Sequence, residues 1–217
     1  MKKRLLFILL SVTFTVTVFM FRVSTYKSPV GTVPCGDSGL IFTITTYDGK
    51  TESGWFVRSL GHTWVSLDNQ TGHSVYLRDH EVKDGEIITF SVWATTGHRG
   101  VFFNLEAEFI RAYDRYIGRQ SLSIPIDESQ LADIGDYIEN NDRWKPGKNC
   151  SYWAMQLWNV LADDAHRLPS PLFFCTPARL QKILREFDGV ETDKDFSRAE
   201  GVFFHKNGQQ TELWLCS

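Results

Sequence analysis

Closely spaced strand-like segments are the feature of this sequence that most restricts its fold. Residues 40–48, 62–68, 73–79 and 86–94 are rich in β-branched and aromatic side chains, which favour extended structure. The turn-prone residues 69–72 separate the second segment from the third, so we predict that these two form a hairpin. The first half of the chain therefore predicts an antiparallel sheet.

The second half of the chain predicts three helices and a final hairpin. The helices begin near residues that cap helices well, namely Asp127, Asn149 and Thr176. The first is expected to run to about residue 140 and the third to about residue 187. Asn207-Gly208 between two apolar runs predicts the hairpin. Together these elements predict an α+β domain, an antiparallel sheet with helices packed on one side.

The N-terminus has the pattern of an export segment. Lys2, Lys3 and Arg4 precede residues 5–21, which carry no charge. This run is near the lower limit for a spanning helix, and no clean small-residue cleavage motif follows it. A cleaved signal and a retained anchor both fit, and we favour the anchor. The alternative to both is a buried N-terminal strand pair. The basic end then stays in the cytoplasm and the remainder lies outside.

These observations divide the chain into a signal or membrane-anchor segment over 1–25, a linker over 26–38 and one domain over 39–217. A domain of this length can bury a substantial core. The net charge of −3 argues against a nucleic-acid partner. Membrane contact is expected through residues 5–21.

The four cysteines do not have the spacing of a structural zinc site, and we expect neither a metal nor a cofactor. In an oxidising compartment some of them can form disulfides. Cys35 with Cys216 would join the two ends of the domain, but the pairing of Cys35, Cys175 and Cys216 stays open. A structural disulfide between Cys150 and Cys175 is a further alternative.

Cys150 stands at the start of a predicted helix, in the segment NCSYWA (149–154). Unpaired N–H groups and the helix dipole favour a thiolate there. The same N–H groups can hold the oxyanion that forms when a thiolate attacks a carbonyl. In the alternative interpretation, Cys150 acts as a small apolar side chain and contributes only to packing.

His62 is the candidate base for such a nucleophile. It follows Gly61 and opens a predicted strand in the segment GHTWVSL (61–67), so a rigid strand end would present its imidazole. The alternative is a half-exposed strand histidine bonded to backbone.

These two segments together resemble the circularly permuted branch of the papain-like superfamily, which includes YiiX-like and lecithin:retinol acyltransferase-like proteins and is related to NlpC-type cell-wall peptidases. In ordinary papain-like enzymes the cysteine helix precedes the histidine strand, and the permuted branch has the reverse order, as this sequence does. The resemblance covers about residues 40–160. It implies a papain-like fold in which Cys150 is the nucleophile and His62 the general base.

The resemblance also implies a polar residue, on the strand after the histidine strand, that orients the imidazole. Counting across the predicted hairpin favours Asp79, with His80 and His73 as alternatives because register is uncertain by one residue. Asp79 can equally be a solvated charge at a strand end. Glu106 and Glu108 are interpreted as a solvated edge rather than as residues facing a cleft.

The predicted function is that of an exported cysteine hydrolase, a peptidase or amidase, acting through a thioester intermediate. Cell-wall peptide bonds are the first substrate class expected from the export segment. An acyltransferase or lipid acyl hydrolase of the same fold is the alternative. A non-catalytic envelope module that binds peptide or lipid in the same groove is the alternative from another class.

Overall fold

The computed structural model of the chain describes residues 38–50, 61–95, 98–145, 147–170 and 174–213. The predicted export segment, nearly all of the predicted linker, and Cys35 and Cys216 lie outside this part. No helix within the described ranges is long and apolar enough to cross a membrane.

The described part of the chain is an α+β domain with ten strands and four helices. The strands are β1 Leu40–Tyr47, β2 His62–Asn69, β3 Val75–Leu77, β4 His80–Val82, β5 Ile87–Thr95, β6 His98–Phe103, β7 Gln120–Ile126, β8 Glu191–Thr192, β9 Val202–Lys206 and β10 Gln209–Leu213. The helices are α1 Leu105–Tyr113, α2 Gln130–Asn140, α3 Cys150–Leu161 and α4 Pro177–Leu184.

Eight of the strands form one antiparallel sheet in the order β10-β9-β6-β5-β2-β1-β7-β8. β3 and β4 form a separate two-stranded sheet. The prediction of a large antiparallel sheet is therefore confirmed. The predicted hairpin between 62–68 and 73–79 is wrong, because β2 pairs with β1 and β5 instead.

Helices cover both faces of this sheet, not one as predicted. On β5, Ile88 and Phe90 belong to the main core with Trp153 and Trp158 of α3. Ile87 of the same strand belongs to a second cluster with Ala107 of α1. Because successive side chains of a strand point to opposite faces, α3 and α1 lie on opposite sides of the sheet.

The helices predicted after Asn149 and Thr176 are confirmed, and so are the helix ending near residue 140 and the Asn207-Gly208 hairpin. Asn207 and Gly208 both have positive φ, 51° and 75°, as a tight hairpin turn requires. Helix α1 and strands β4, β6, β7 and β8 were not predicted. Helix α1 carries Glu106, whose side chain contacts His62.

Candidate active site

Cys150 is the first residue of α3, and its placement depends on Asn149. The Asn149 side chain accepts a hydrogen bond from the backbone N–H of Tyr152 at 3.0 Å, which caps the helix. Its amide group donates to the carbonyl of Cys175 at 2.7 Å. Cys150 itself is partly exposed. The cap therefore fixes the start of the helix and, with it, the position of Cys150.

His62 is the first residue of β2, and a glycine precedes it for a steric reason. Gly61 has φ +76°, and a Cβ at this position would lie 2.3 Å from the carbonyl oxygen of Tyr47. The His62 ring packs between aromatic side chains, 4.2 Å from the Trp93 ring and 5.9 Å from the Trp64 ring, centroid to centroid. The imidazole is therefore buried and held in one orientation.

The sheet is open beside these two residues. β2 pairs with β1 along its whole length, but its pairing with β5 covers only Val65–Asp68. In the unpaired part, the Ser91 hydroxyl donates to the Thr63 carbonyl at 2.7 Å. The backbone N–H of Thr63 donates to the Cys150 sulfur. The gap between β2 and β5 thus brings the start of α3 into contact with the start of β2.

The second partner of the imidazole is Glu106, in the first turn of α1. Its Oε1 lies 2.9 Å from His62 Nε2 and accepts a hydrogen bond from the Trp93 indole at 2.7 Å. The Glu106 side chain is completely buried. A carboxylate only accepts hydrogen bonds, so Nε2 carries the proton and Nδ1 remains for Cys150.

The three side chains form one electrostatic unit. Burial alone would lower the pKa of His62, but the charge and hydrogen bond of Cys150, followed by those of Glu106, raise the pKa of His62 to about 9. Burial alone would raise the pKa of Cys150, but the charge and hydrogen bond of His62 lower it below its ordinary value. The two shifts favour a thiolate–imidazolium pair over the neutral pair.

A chain of buried hydroxyl groups continues from this unit. The Thr46 hydroxyl donates to the Pro177 carbonyl at 3.1 Å. It also lies 3.0 Å from the Thr63 hydroxyl, which in turn lies 2.8 Å from the Ser151 hydroxyl. Each hydroxyl has one proton. While Thr46 donates to Pro177, Thr63 must donate to Thr46 and Ser151 to Thr63.

The Ser151 hydroxyl also lies within hydrogen-bonding reach of the Cys150 sulfur and contributes to the lowered pKa of Cys150. For Ser151 to donate to the sulfur while the bonds between the hydroxyls are kept, all three hydroxyl protons must turn, and the Thr46–Pro177 bond is lost. A thiolate favours this second direction, because hydrogen bonds to a charged acceptor are stronger than those to a neutral one.

The structure brings His62 and Cys150 together and corrects the choice of the third residue. Asp79 does not contact His62; it is exposed in the turn between β3 and β4. His73 lies 2.9 Å from Glu128, and the His80 ring packs against Phe203. The prediction of Asp79 depends on a hairpin between β2 and the following strand that does not form. The carboxylate at the imidazole is that of Glu106, so the interpretation of Glu106 as part of a solvated edge is wrong.

A signal for Glu106 was present in the sequence. Asn104 precedes Leu105 and Phe109, which have the spacing of one helix face. In the structure Asn104 has φ +60°, accepts a hydrogen bond from the Thr89 N–H at 2.9 Å and donates to the Glu200 carbonyl at 2.8 Å. These bonds fix the start of α1 beside β5. Recognising the helix would have placed Glu106 in its first turn.

Cys150 and Cys175 are both free thiols, so the alternative of a disulfide between them is wrong for this structure. Cys175 is buried. Burial, and then the charge of Cys150, raise the pKa of Cys175 to about 11. In the described ranges, no cluster of three or more His, Cys, Asp or Glu side chains is arranged to hold a metal ion.

Comparisons of the chain with protein-family models, with curated proteins and with solved structures gave no significant match. The functional interpretation therefore depends on the geometry of the site itself.

Proposed function

We propose that this protein is a cysteine hydrolase that cleaves amide bonds through a thioester intermediate. The observation that carries the proposal is the contact of His62 with Cys150 on one side and with the buried Glu106 carboxylate on the other. A nucleophile, a base and a group that orients the base are the parts that covalent acyl transfer requires.

The first step is attack of the Cys150 thiolate on a carbonyl carbon. The sulfur–carbon bond forms, the carbonyl π electrons move to oxygen, and N–H groups at the start of α3 are positioned to stabilise that oxyanion. The His62 imidazolium then gives its proton to the leaving amine as the carbon–nitrogen bond breaks.

The second step is hydrolysis of the thioester. His62, now neutral, removes a proton from water as the water oxygen attacks the carbonyl. Collapse of the intermediate expels the thiolate and releases the acid. Glu106 accepts the hydrogen bond from Nε2–H in both steps, so that Nδ1 faces the reacting atoms.

The proposed fold family is the permuted papain-like superfamily. Three features support it: the histidine strand precedes the cysteine helix, the helix begins with the cysteine, and the strand begins with the histidine. The proposed location is outside the cytoplasm, with residues 5–21 as an export or anchor segment. In that location peptides of the cell wall are the proposed first substrate class, and acyl groups of lipid or lipoprotein the second.

Thiol alkylation at pH 6 tests the activation of Cys150. We expect iodoacetamide to modify Cys150 much faster than a free cysteine, and Cys175 to remain unmodified because it is buried and its pKa is raised. Peptide mapping by mass spectrometry identifies the modified position. A Cys150 rate equal to that of a free cysteine would contradict the proposal.

Substitution then separates an enzyme from a binding module. Cys150→Ala should abolish turnover of amide and ester substrates and leave their binding unchanged, whereas Cys175→Ala, the matched control at the neighbouring thiol, should retain turnover. A module that only binds would show no turnover in any variant. Transfer of the acyl group to an added acceptor in preference to water would favour the acyltransferase alternative.

A further inference from the structure

Residues 174–177, here called the wall segment, lie beside both the nucleophile and the base. The Cys175 carbonyl accepts a hydrogen bond from the side chain of Asn149, which directly precedes the nucleophile. Pro177 lies against Gly61, which directly precedes the base: a Cβ added to Gly61 would be 2.9 Å from the Cβ of Pro177. A substrate bound between the nucleophile and the base is therefore next to the wall segment.

Phe174 is the first residue of the wall segment, and its ring is in contact with solvent. Its exposed fraction is 70%, the highest among the large apolar side chains of the described ranges. Single exposed apolar side chains are common on protein surfaces, but this one lies beside the site where a substrate would react. Contact with an apolar group of a substrate would remove part of the ring from water, which favours binding.

Arg179 lies in the first turn of α4, two residues after the wall segment. It is half-buried, and its guanidinium forms no ion pair or hydrogen bond with any residue that the structure describes. Burial and the charge of Cys150 raise the pKa of Cys175, and the charge of Arg179 opposes them. The guanidinium and the nucleophile therefore both lie near the same thiol.

The segment on the other side of the nucleophile carries charge of the same sign. Lys148 directly precedes the Asn149 cap, is exposed, and has no acidic partner within the described ranges. Unpaired basic groups on both flanking segments favour an anionic substrate. Guanidinium groups match carboxylates and phosphates, and a carboxylate is the anion that a peptide carries at its C-terminus.

We propose that this site takes peptides at their C-terminal residue, with Arg179 binding the free carboxylate and Phe174 packing against an apolar side chain of that residue. Consecutive residues are about 3.8 Å apart, so the terminal carboxylate lies close to the last amide bond. When that bond breaks, the C-terminal residue leaves as a free amino acid. The proposal rests on the proposed function, because it names the substrate class of the same site.

Calorimetric titration of Cys150→Ala, which cannot turn peptides over, tests the two groups separately. Acetyl-Ala-Phe carries both groups, acetyl-Ala-Phe-amide lacks the carboxylate, and acetyl-Ala-Gly lacks the apolar side chain. We expect the second and third compounds to bind at least tenfold more weakly than the first. Equal binding of the acid and the amide, equal binding of the Phe and Gly compounds, or no binding of any of them would overturn the proposal.

Substitutions in the Cys150→Ala protein assign each preference to one side chain. Arg179→Gln should abolish the preference for the acid over the amide and keep the preference for Phe over Gly, and Phe174→Ala should do the reverse. Lys182→Gln, on the exposed side of α4, and Val160→Ala, exposed near the other end of α3, are the matched controls and should keep both preferences. If Arg179→Gln weakened the acid and the amide equally, the guanidinium would not bind the carboxylate and the proposal would be wrong.

Turnover by wild-type protein separates this proposal from the proposed hydrolase activity. We expect kcat/KM for release of phenylalanine from acetyl-Ala-Phe to exceed that for release of phenylalanine amide from acetyl-Ala-Phe-amide at least tenfold. Equal rates would overturn the substrate class and leave the hydrolase activity standing. Both binding preferences without any turnover would support the two contacts and contradict the hydrolase activity.

Discussion

Glu106→Gln is the sharpest test of the electrostatic unit at the start of α3. The substitution keeps the size of the side chain and an oxygen that can accept from Trp93, and it removes the charge that faces His62 Nε2 at 2.9 Å. A hydrogen bond to a charged group is worth about 1.5–3 kcal/mol. Because Glu106 is completely buried, solvent does not screen this interaction.

That free energy corresponds to about one to two pKa units. The pKa of His62, about 9 in the wild type, should fall by this amount in the variant. The pKa of Cys150 should rise, because the imidazolium that stabilises the thiolate is itself less stable. At neutral pH we expect a loss of about 10- to 100-fold in kcat/KM, equivalent to the same free energy.

The assay is the rate of Cys150 alkylation as a function of pH. In the wild type the rate should remain high well below the ordinary thiol pKa of about 8.5, and in Glu106→Gln the midpoint should move to higher pH. Glu108→Gln is the matched control: it lies on the same helix, pairs with Arg111 and is partly exposed, so its profile should equal that of the wild type.

An alkylation profile unchanged by Glu106→Gln would refute the reasoning, since the carboxylate would then have no influence on the sulfur. A loss of Cys150 reactivity in Glu106→Gln would not be due to unfolding, because exchanging a buried carboxylate for an amide leaves no additional buried charge. Thermal denaturation of both variants verifies this point.

Three further predictions follow from the same geometry. Gly61→Ala should lower the free energy of unfolding by more than the about 1–2 kcal/mol that a left-handed residue costs, because the added Cβ would collide with the Tyr47 carbonyl. Gly72→Ala is the control: φ is +84° there and no atom lies within 4 Å, so alanine should cost only the left-handed backbone conformation. Denaturant titration measures both changes. The pH profile of kcat/KM should rise as Cys150 ionises, below the ordinary thiol range, and fall near pH 9 as His62 loses its proton; a plateau through pH 10 would contradict the raised pKa of His62. Ser151→Ala should move the midpoint of Cys150 alkylation to higher pH. Thr43→Ala should not, because among the described residues the Thr43 hydroxyl is bonded to Ser123 and not to the site. Equal midpoints for Ser151→Ala and wild type would mean that the hydroxyl chain does not reach the sulfur.

Local signals in the sequence predicted the parts of this structure that depend on neighbouring residues. The Asn149 cap, the Thr176-Pro177 helix start and the Asn207-Gly208 turn all act over a few residues, and the structure contains all three. From the cap and from Gly61, sequence reasoning also selected the cysteine and the histidine that the structure brings together.

The pairing of distant strands was not predictable in the same way. β2 lies between β1 and β5, so its neighbours are set by packing against α3 and α1 rather than by the turn that follows it. The error in strand pairing led directly to Asp79. Glu106 was missed because two acidic residues at alternate positions resemble an exposed strand as well as a helix start.

Because β2 pairs with β5 only over Val65–Asp68, the backbone N–H of Thr63 is a hydrogen-bond donor to the Cys150 sulfur. The donor that Thr63 provides to sulfur belongs to the main chain, so nineteen of the twenty amino acids supply it equally and only proline removes it. Scanning side chains with alanine would therefore never detect this donor. Replacing one peptide linkage by an ester, through chemical ligation, would make its contribution visible.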